Sequence, residues 1–181
     1  MIQGSKTNSH LETVLTRYLK VITVLLTEED SAVNLLSVVN DFWMNSSQHR
    51  SYVMSKLMTY RIVKNIDIAD WVFSDAALIN CHRFHSWEVL KEASGKILAK
   101  TADLRELYKE SKAANDSKLE NRKASLEEAE HDSQQFSLHV MTKFMNRISS
   151  NPPKDCAITN TAFEDTLCRR LKAFCRLFGY V

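Results

Sequence analysis

Apolar residues return every three or four positions along almost the whole of this chain, and a chain with that period is committed to helices. The pattern is densest over residues 52–92 (YVMSKLMTYRIVKNIDIADWVFSDAALINCHRFHSWEVLKE), where Trp71 and Trp87 both fall on helical segments. Only 3 Gly and 2 Pro interrupt 181 residues. Few tight turns are therefore specified, which argues against a many-stranded sheet and for long helices.

Followed along the chain, the stripes define successive elements. Leu11, Leu15, Tyr18, Ile22 and Leu25 form the first, after Ser9 and Glu12 at capping-box spacing. Glu28, Glu29 and Asp30 end it and place negative charge before the next helix, whose N-terminal dipole favours it. Val33, Leu36, Val39 and Trp43 follow, widened by Leu35 and Phe42, and Asn45, Ser46 and Ser47 make a polar break. Val53, Leu57 and Tyr60 line a third helix, with Tyr52 and Met58 beside the stripe. Asn65 reads as its stop. Asp67 then caps a short helix carrying Ile68, Trp71 and Val72, with Asp70 near the same end. Ser74 and Asp75 restart the chain, and from Ala76 the period resumes through Phe84, Trp87, Leu90, Ala93 and Ile97. Each face is too apolar to stand in water. The expected fold is all-α: an antiparallel helix-pair solenoid of the armadillo/HEAT kind, or a bundle.

The composition changes over residues 103–132, which are rich in Glu, Lys, Arg, Ala, Ser and Asn. Ile97, Leu104 and Tyr108 carry a heptad-like spacing in, and Leu119, Leu126, Phe136 and Val140 carry one out. With a turn at residues 113–117 (AANDS), this predicts a protruding antiparallel coiled-coil hairpin over residues 98–135, inserted in a single helical scaffold domain spanning 1–181. Phe136, Val140, Phe144 and Ile148 bring the return helix back to the body, and Asn151-Pro152-Pro153 ends it. Thr161 and Glu164 form a second capping box. Phe163, Leu167, Leu171, Phe174 and Phe178 line a last helix, with Gly179 as its C-terminal cap.

The chemistry-bearing residues give no catalytic pattern. Cys81, His82 and His85 make a C-H-x-x-H cluster, but zinc takes four ligands and no second pair stands elsewhere. Cys168 and Cys175 lie seven apart on one helix face and read as packing thiols. Glu127, Glu128 and Glu130 read as a solvated face, as do Arg169, Arg170, Lys172 and Arg176. Trp71 and Trp87 sit among apolar neighbours and read as core anchors, not stacking platforms. Phosphate-loop, dinucleotide, zinc-protease and serine-hydrolase motifs are all missing from the sequence. A net charge of +2 is too small to argue for nucleic acid. The N-terminus MIQGSKTNSH has no apolar run of the secretory kind, so the four cysteines are expected to be reduced. The longest apolar run, residues 21–26, falls far short of the roughly 18 residues of a membrane span. The expectation is a protein without enzymatic activity, cofactor, metal or membrane contact.

The ordered series does resemble a known family. LETVLTRYLKVI at 11–22 leads to a helix ending in Phe42-Trp43 with Asn45. SKLMTYRIVKNIDIADWVFS follows at 55–74, then the Trp87-Glu88 helix, the charged hairpin and FSLHVMTKFMNRIS at 136–149. This order is similar to the C-terminal helical domain of the large subunit of the nuclear cap-binding complex, itself resembling the middle domain of initiation factor 4 gamma. The resemblance implies a scaffold that supports a small subunit with an RNA-recognition fold. Capped RNA is then bound indirectly, through that subunit. It also implies recruitment of RNA processing, export and decay factors, and a nuclear, shuttling location. It carries over no catalytic, cofactor or metal residue, and assigns none to partner contact. That family's protein is several times longer and has two preceding helical domains, so this sequence is expected to be a fragment of a larger protein. The other reading of the residues is a different helical-repeat scaffold, in translation initiation or RNA decay.

Overall fold

A computed structural model of the chain describes residues 8–26, 30–79, 85–114, 117–156 and 159–178. Among them every regular element is a helix: α1 (Asn8–Leu25), α2 (Ser31–Phe42), α3 (Ser47–Thr59), α4 (Asn65–Val72), α5 (Asp75–Leu78), α6 (His85–Ala114), α7 (Leu119–Ile148) and α8 (Asn160–Phe178). The fold is an all-α stack of helices, with the two longest, α6 and α7, running on from it as an antiparallel hairpin.

The shortest of the large elements organises the rest. α4 packs against α2, α5, α6 and α7, whereas α1 rests mainly on α3, and α8 on α6 and α7. Ile68, Ala69, Trp71 and Val72 are buried, Trp71 completely at 0% exposure. With Ile68 three residues before Trp71 and Val72 beside it, these side chains make one continuous apolar face, with Asp67 and Asp70 left to the other side. A helix this short gains nothing from propensity alone and exists because its neighbours enclose it. Asp67 closes its first turn by accepting the Lys64 N–H at 2.7 Å. On the outer side Asp70 binds α7 twice, to His139 Nε2 at 2.7 Å and Lys143 Nζ at 2.8 Å.

The α3–α4 connection departs from expectation. α3 stops at Thr59, and Asn65 opens α4 instead of closing α3. The stop is a Schellman motif: the Ile62 N–H reaches Leu57 O at 2.9 Å and the Arg61 N–H reaches Met58 O at 3.0 Å. Ile62 and Leu57 are both buried, completing the apolar clasp that accompanies such an ending. The position that usually carries glycine here carries Arg61, at φ 54°. A left-handed residue with a Cβ costs about 1–2 kcal/mol. No Gly or Pro marks this turn, which is why the sequence misplaced it.

Three other boundaries move for local reasons. Ser9 lies inside α1, and Glu12 turns away from the helix start toward α3, so the first capping box does not form. At α8 the cap is Thr159, whose hydroxyl accepts the Ala162 N–H at 3.4 Å, two residues before the expected Thr161. The helix expected from Ala76 onward begins as the short α5, capped by Ser74, and α6 starts at His85. Glu28, Glu29, Phe84, Gly179 and the Phe178 side chain lie outside the described residues or side chains.

The hairpin has a seam of its own. Leu126 and Ala129 are buried but do not join the main apolar cluster, which reaches α6 as far as Ile97 and α7 back to Phe136. Beyond those points the two helices cover only each other. Thr101 Oγ1 donates to Ala129 O at 3.4 Å across the pair, a distance that requires closely spaced backbones. Farther out Arg122 donates to Leu107 O at 3.1 Å and to the buried Ser111 hydroxyl. Arg105 meets Glu130 at 2.6 Å. Apart from Leu126, the buried seam residues are thus small or polar: Thr101, Ser111 and Ala129. Leu104, Tyr108 and Leu119 are only half-buried.

Two substitutions test this packing. Trp71→Ala is expected to destabilise the fold by about 3–5 kcal/mol in urea unfolding, because it empties the centre of the helix that four others touch. Gly95→Ala, in the interior of α6 with no heavy atom near the added methyl, is expected to stabilise by roughly 0.5–1 kcal/mol.

Candidate functional site

The largest concavity among those described is an open cleft of about 620 Å³ between the α3–α4 turn, α6 and α7. Its floor is apolar, from Met58, Val63, Ile97 and Phe136, and its rim is charged. Arg61 and Lys64 come from the turn that the Schellman ending creates. Lys96 and Lys100 come from one face of α6, four residues apart. The single carboxylate on the rim is Asp132 of α7. Lys96 is held inward by Ser55 O at 3.1 Å and Glu92 at 3.2 Å. For Arg61, Lys64 and Lys100, no carboxylate of the described residues lies within ion-pair distance. Lys96 and Lys100 are recognisable in sequence as a like-charged pair on α6. Their meeting with Arg61 and Lys64 is tertiary and is not.

A second polar cluster lies between α2, α3 and α6. Arg50, 4% exposed, donates to Asn40 Oδ1 at 3.3 Å, and His85 Nε2 donates to the same oxygen at 2.8 Å. His85 also tilts against Trp71, centroid to centroid 6.5 Å. His85 therefore ties helices together. Cys81 and His82, its partners in the C-H-x-x-H motif, lie outside the described residues. Among the described residues no three His, Cys, Asp or Glu side chains are grouped to hold a metal.

The remaining singled-out residues find mainly structural places. Trp71 and Trp87 are buried, at 0% and 5% exposure, and present no ring face to a ligand. Phe73 meets Trp87 edge-on at 5.7 Å. Cys168 is half-buried and Cys175 buried, and burial raises the Cys175 thiol above its usual range, which keeps it protonated and unreactive. Glu127 and Glu128 are exposed, while Glu130 holds Arg105. On α8, Arg169 reaches Asp165 at 3.6 Å, and Lys172 and Arg176 face solvent. No helix of the described residues is long and apolar enough to cross a membrane.

α1 is fastened to α3 by a three-member cluster. Tyr52 donates to Glu12 Oε1 at 2.5 Å, Lys56 Nζ lies 2.6 Å from the same oxygen, and the ammonium sits 5.3 Å from the Tyr52 ring centre. The hydrogen bonds from Lys56 and Tyr52 hold the Glu12 carboxyl below the usual carboxylate range. The bond to Glu12 raises Tyr52 and, likewise, Lys56.

Comparison with known proteins finds one family over almost the whole chain. A family model described as MIF4G like matches residues 1–178. The nuclear cap-binding protein subunit 1 of Oryza sativa subsp. japonica is 38% identical over 106 residues, covering 56% of this chain and 12% of that protein. The subunit 1 of Arabidopsis thaliana is 40% identical over 106 residues, with the same coverage of 56% and 12%. That of Xenopus tropicalis is 28% identical over 94 residues, covering 52% of this chain and 12% of its own. The chain thus spans about an eighth of the length of these relatives.

The Glu12 cluster sets a pH dependence. A carboxyl depressed in the folded state contributes stability above the usual carboxylate range and loses it as pH falls through the folded value. Docking of α1 is therefore expected to weaken below about pH 4. Hydrogen exchange of α1 amides against pH should show this acid loss, and Glu12→Gln should flatten it while weakening docking at neutral pH.

Proposed function

The chain belongs to the MIF4G-like family, and from that premise we propose that it is part of a scaffold subunit of a nuclear cap-binding complex. The observation that carries this reading is the family match over residues 1–178, with nuclear cap-binding relatives at 38% and 40% identity over just over half of the chain. The chemistry is consistent with it. Trp71 and Trp87, which a cap-binding site could use for stacking, are spent on the core. In this reading the methylguanosine is held by a small subunit with an RNA-recognition fold, and the helical stack supports that subunit. It also presents surfaces to RNA processing, export and decay factors, in the nucleus. Residues 98–135 act as a hairpin inserted in the scaffold domain, giving it an arm away from the body.

The test is retention on a methylguanosine resin of the protein that carries this chain, with and without a small RNA-recognition subunit. Retention that requires the small subunit, and elution by free cap analogue, is the expected result. Failure to be retained when that subunit is present and itself bound contradicts the proposal.

A further inference from the structure

We propose that the cleft between the α3–α4 turn, α6 and α7 is a docking site for an acidic peptide segment of a partner protein, with one apolar side chain of that segment seated on the cleft floor. Arg61, Lys64, Lys96 and Lys100 oppose Asp132 on its rim. Even with Glu92 set against Lys96, the rim keeps more cations than carboxylates, so positive potential gathers here. The fold neutralises it only in part: among the described residues Lys96 alone of the four has a carboxylate partner, Glu92. Asp67, the other acid of the turn, is engaged in capping the Lys64 N–H.

Two local arrangements around the cleft are unfavourable in themselves. Arg61 takes a backbone conformation suited to glycine, and Lys96 and Lys100 repel each other across one turn of α6. Among the described residues Glu92 offsets only the Lys96 side of that repulsion, and no carboxylate reaches Arg61 or Lys100, so a bound carboxylate would find both unpaired. The floor decides what kind of anion enters. Its accessible apolar surface is aliphatic, from the half-buried Ile97 and the exposed Ile66, whereas its one aromatic ring, Phe136, is 3% exposed. A single-stranded RNA gains its sequence-tolerant affinity by stacking bases on exposed aromatic faces, and the floor offers none. A peptide with acidic residues flanking a leucine-like side chain matches both the rim and the floor. The proposal does not rest on the cap-complex reading, since rim and floor both belong to this chain.

The experiment is fluorescence anisotropy of a labelled glutamate-rich dodecapeptide containing two leucines, titrated with the 181-residue chain. Binding that weakens with salt is expected, with weaker binding by the all-glutamate peptide and none by the glutamine-for-glutamate version. Lys64→Glu with Lys100→Glu should lower affinity about tenfold or more at an unchanged unfolding midpoint, and Lys64→Gln with Lys100→Gln should lower it less. Arg61→Gly should weaken binding while raising the unfolding midpoint, a combination that a purely structural Arg61 would not give. Absence of binding by the acidic peptide overturns the proposal, as does binding indifferent to the double reversal. Tighter binding of an oligouridine, lost in the same double variant, overturns it in favour of RNA. Retention on methylguanosine resin is a separate readout, so the two proposals fail independently.

Discussion

The enclosure of α4 is the constraint on which the rest of this structure depends. Two turns of helix carry Ile68, Ala69, Trp71 and Val72 into contact with α2, α5, α6 and α7. Fully burying one large apolar side chain is worth about 1.5–3 kcal/mol, and here the gain is shared among elements far apart in sequence. The enclosure is not perfect. Among the described residues no acceptor reaches the buried indole N–H groups of Trp71 and Trp87. Such an unmade bond costs about 1–3 kcal/mol, so the packing around these rings must exceed that loss.

Around this centre the helices are secured by polar ties between neighbouring elements. The buried Asn40, Arg50 and His85 cluster lies close in, joining three helices. Asp70 with His139 and Lys143 pins α7 to the outside of α4. Arg147 reaches Asp75 of α5. At the periphery, α1 is held by Glu12 with Tyr52 and Lys56, where water screens the charges. The hairpin end of α6 and α7 depends only on its own seam. A scaffold with a rigid middle and looser ends can present several surfaces without deforming its centre.

Much of this was legible in the sequence, because apolar period is a local signal. Leu11, Leu36, Val53, Leu57, Ile68, Trp71, Trp87, Leu90, Phe136, Val140, Phe163 and Leu167 were read as inward-facing and are buried. Leu25 and Phe42 were placed on the same kind of stripe but are 67% and 42% exposed, and Tyr18 is covered only in part. The seam of the hairpin was legible only in part, at Leu126, which lies on the heptad-like spacing and is buried. Thr101, Ser111 and Ala129 are small, and their burial reflects backbone approach, not hydrophobicity. The Arg61 turn was missed because a Schellman ending is normally marked by glycine. The cationic cleft needed the turn and α6 to be brought together, and no spacing rule reports that. The family likeness was readable in the sequence itself, and the family model matches residues 1–178.

Native-state hydrogen exchange, resolved by element, tests the central claim most directly. If α4 is the enclosed keystone, its amides exchange only on global unfolding, at the largest opening free energy in the molecule, despite its being one of the shortest helices. The amides of α1 and of the outer hairpin then exchange at lower cost. Protection of α4 no higher than that of α1 or the hairpin end would contradict the account. It would show that the long helices hold the fold and that α4 merely fills the space between them.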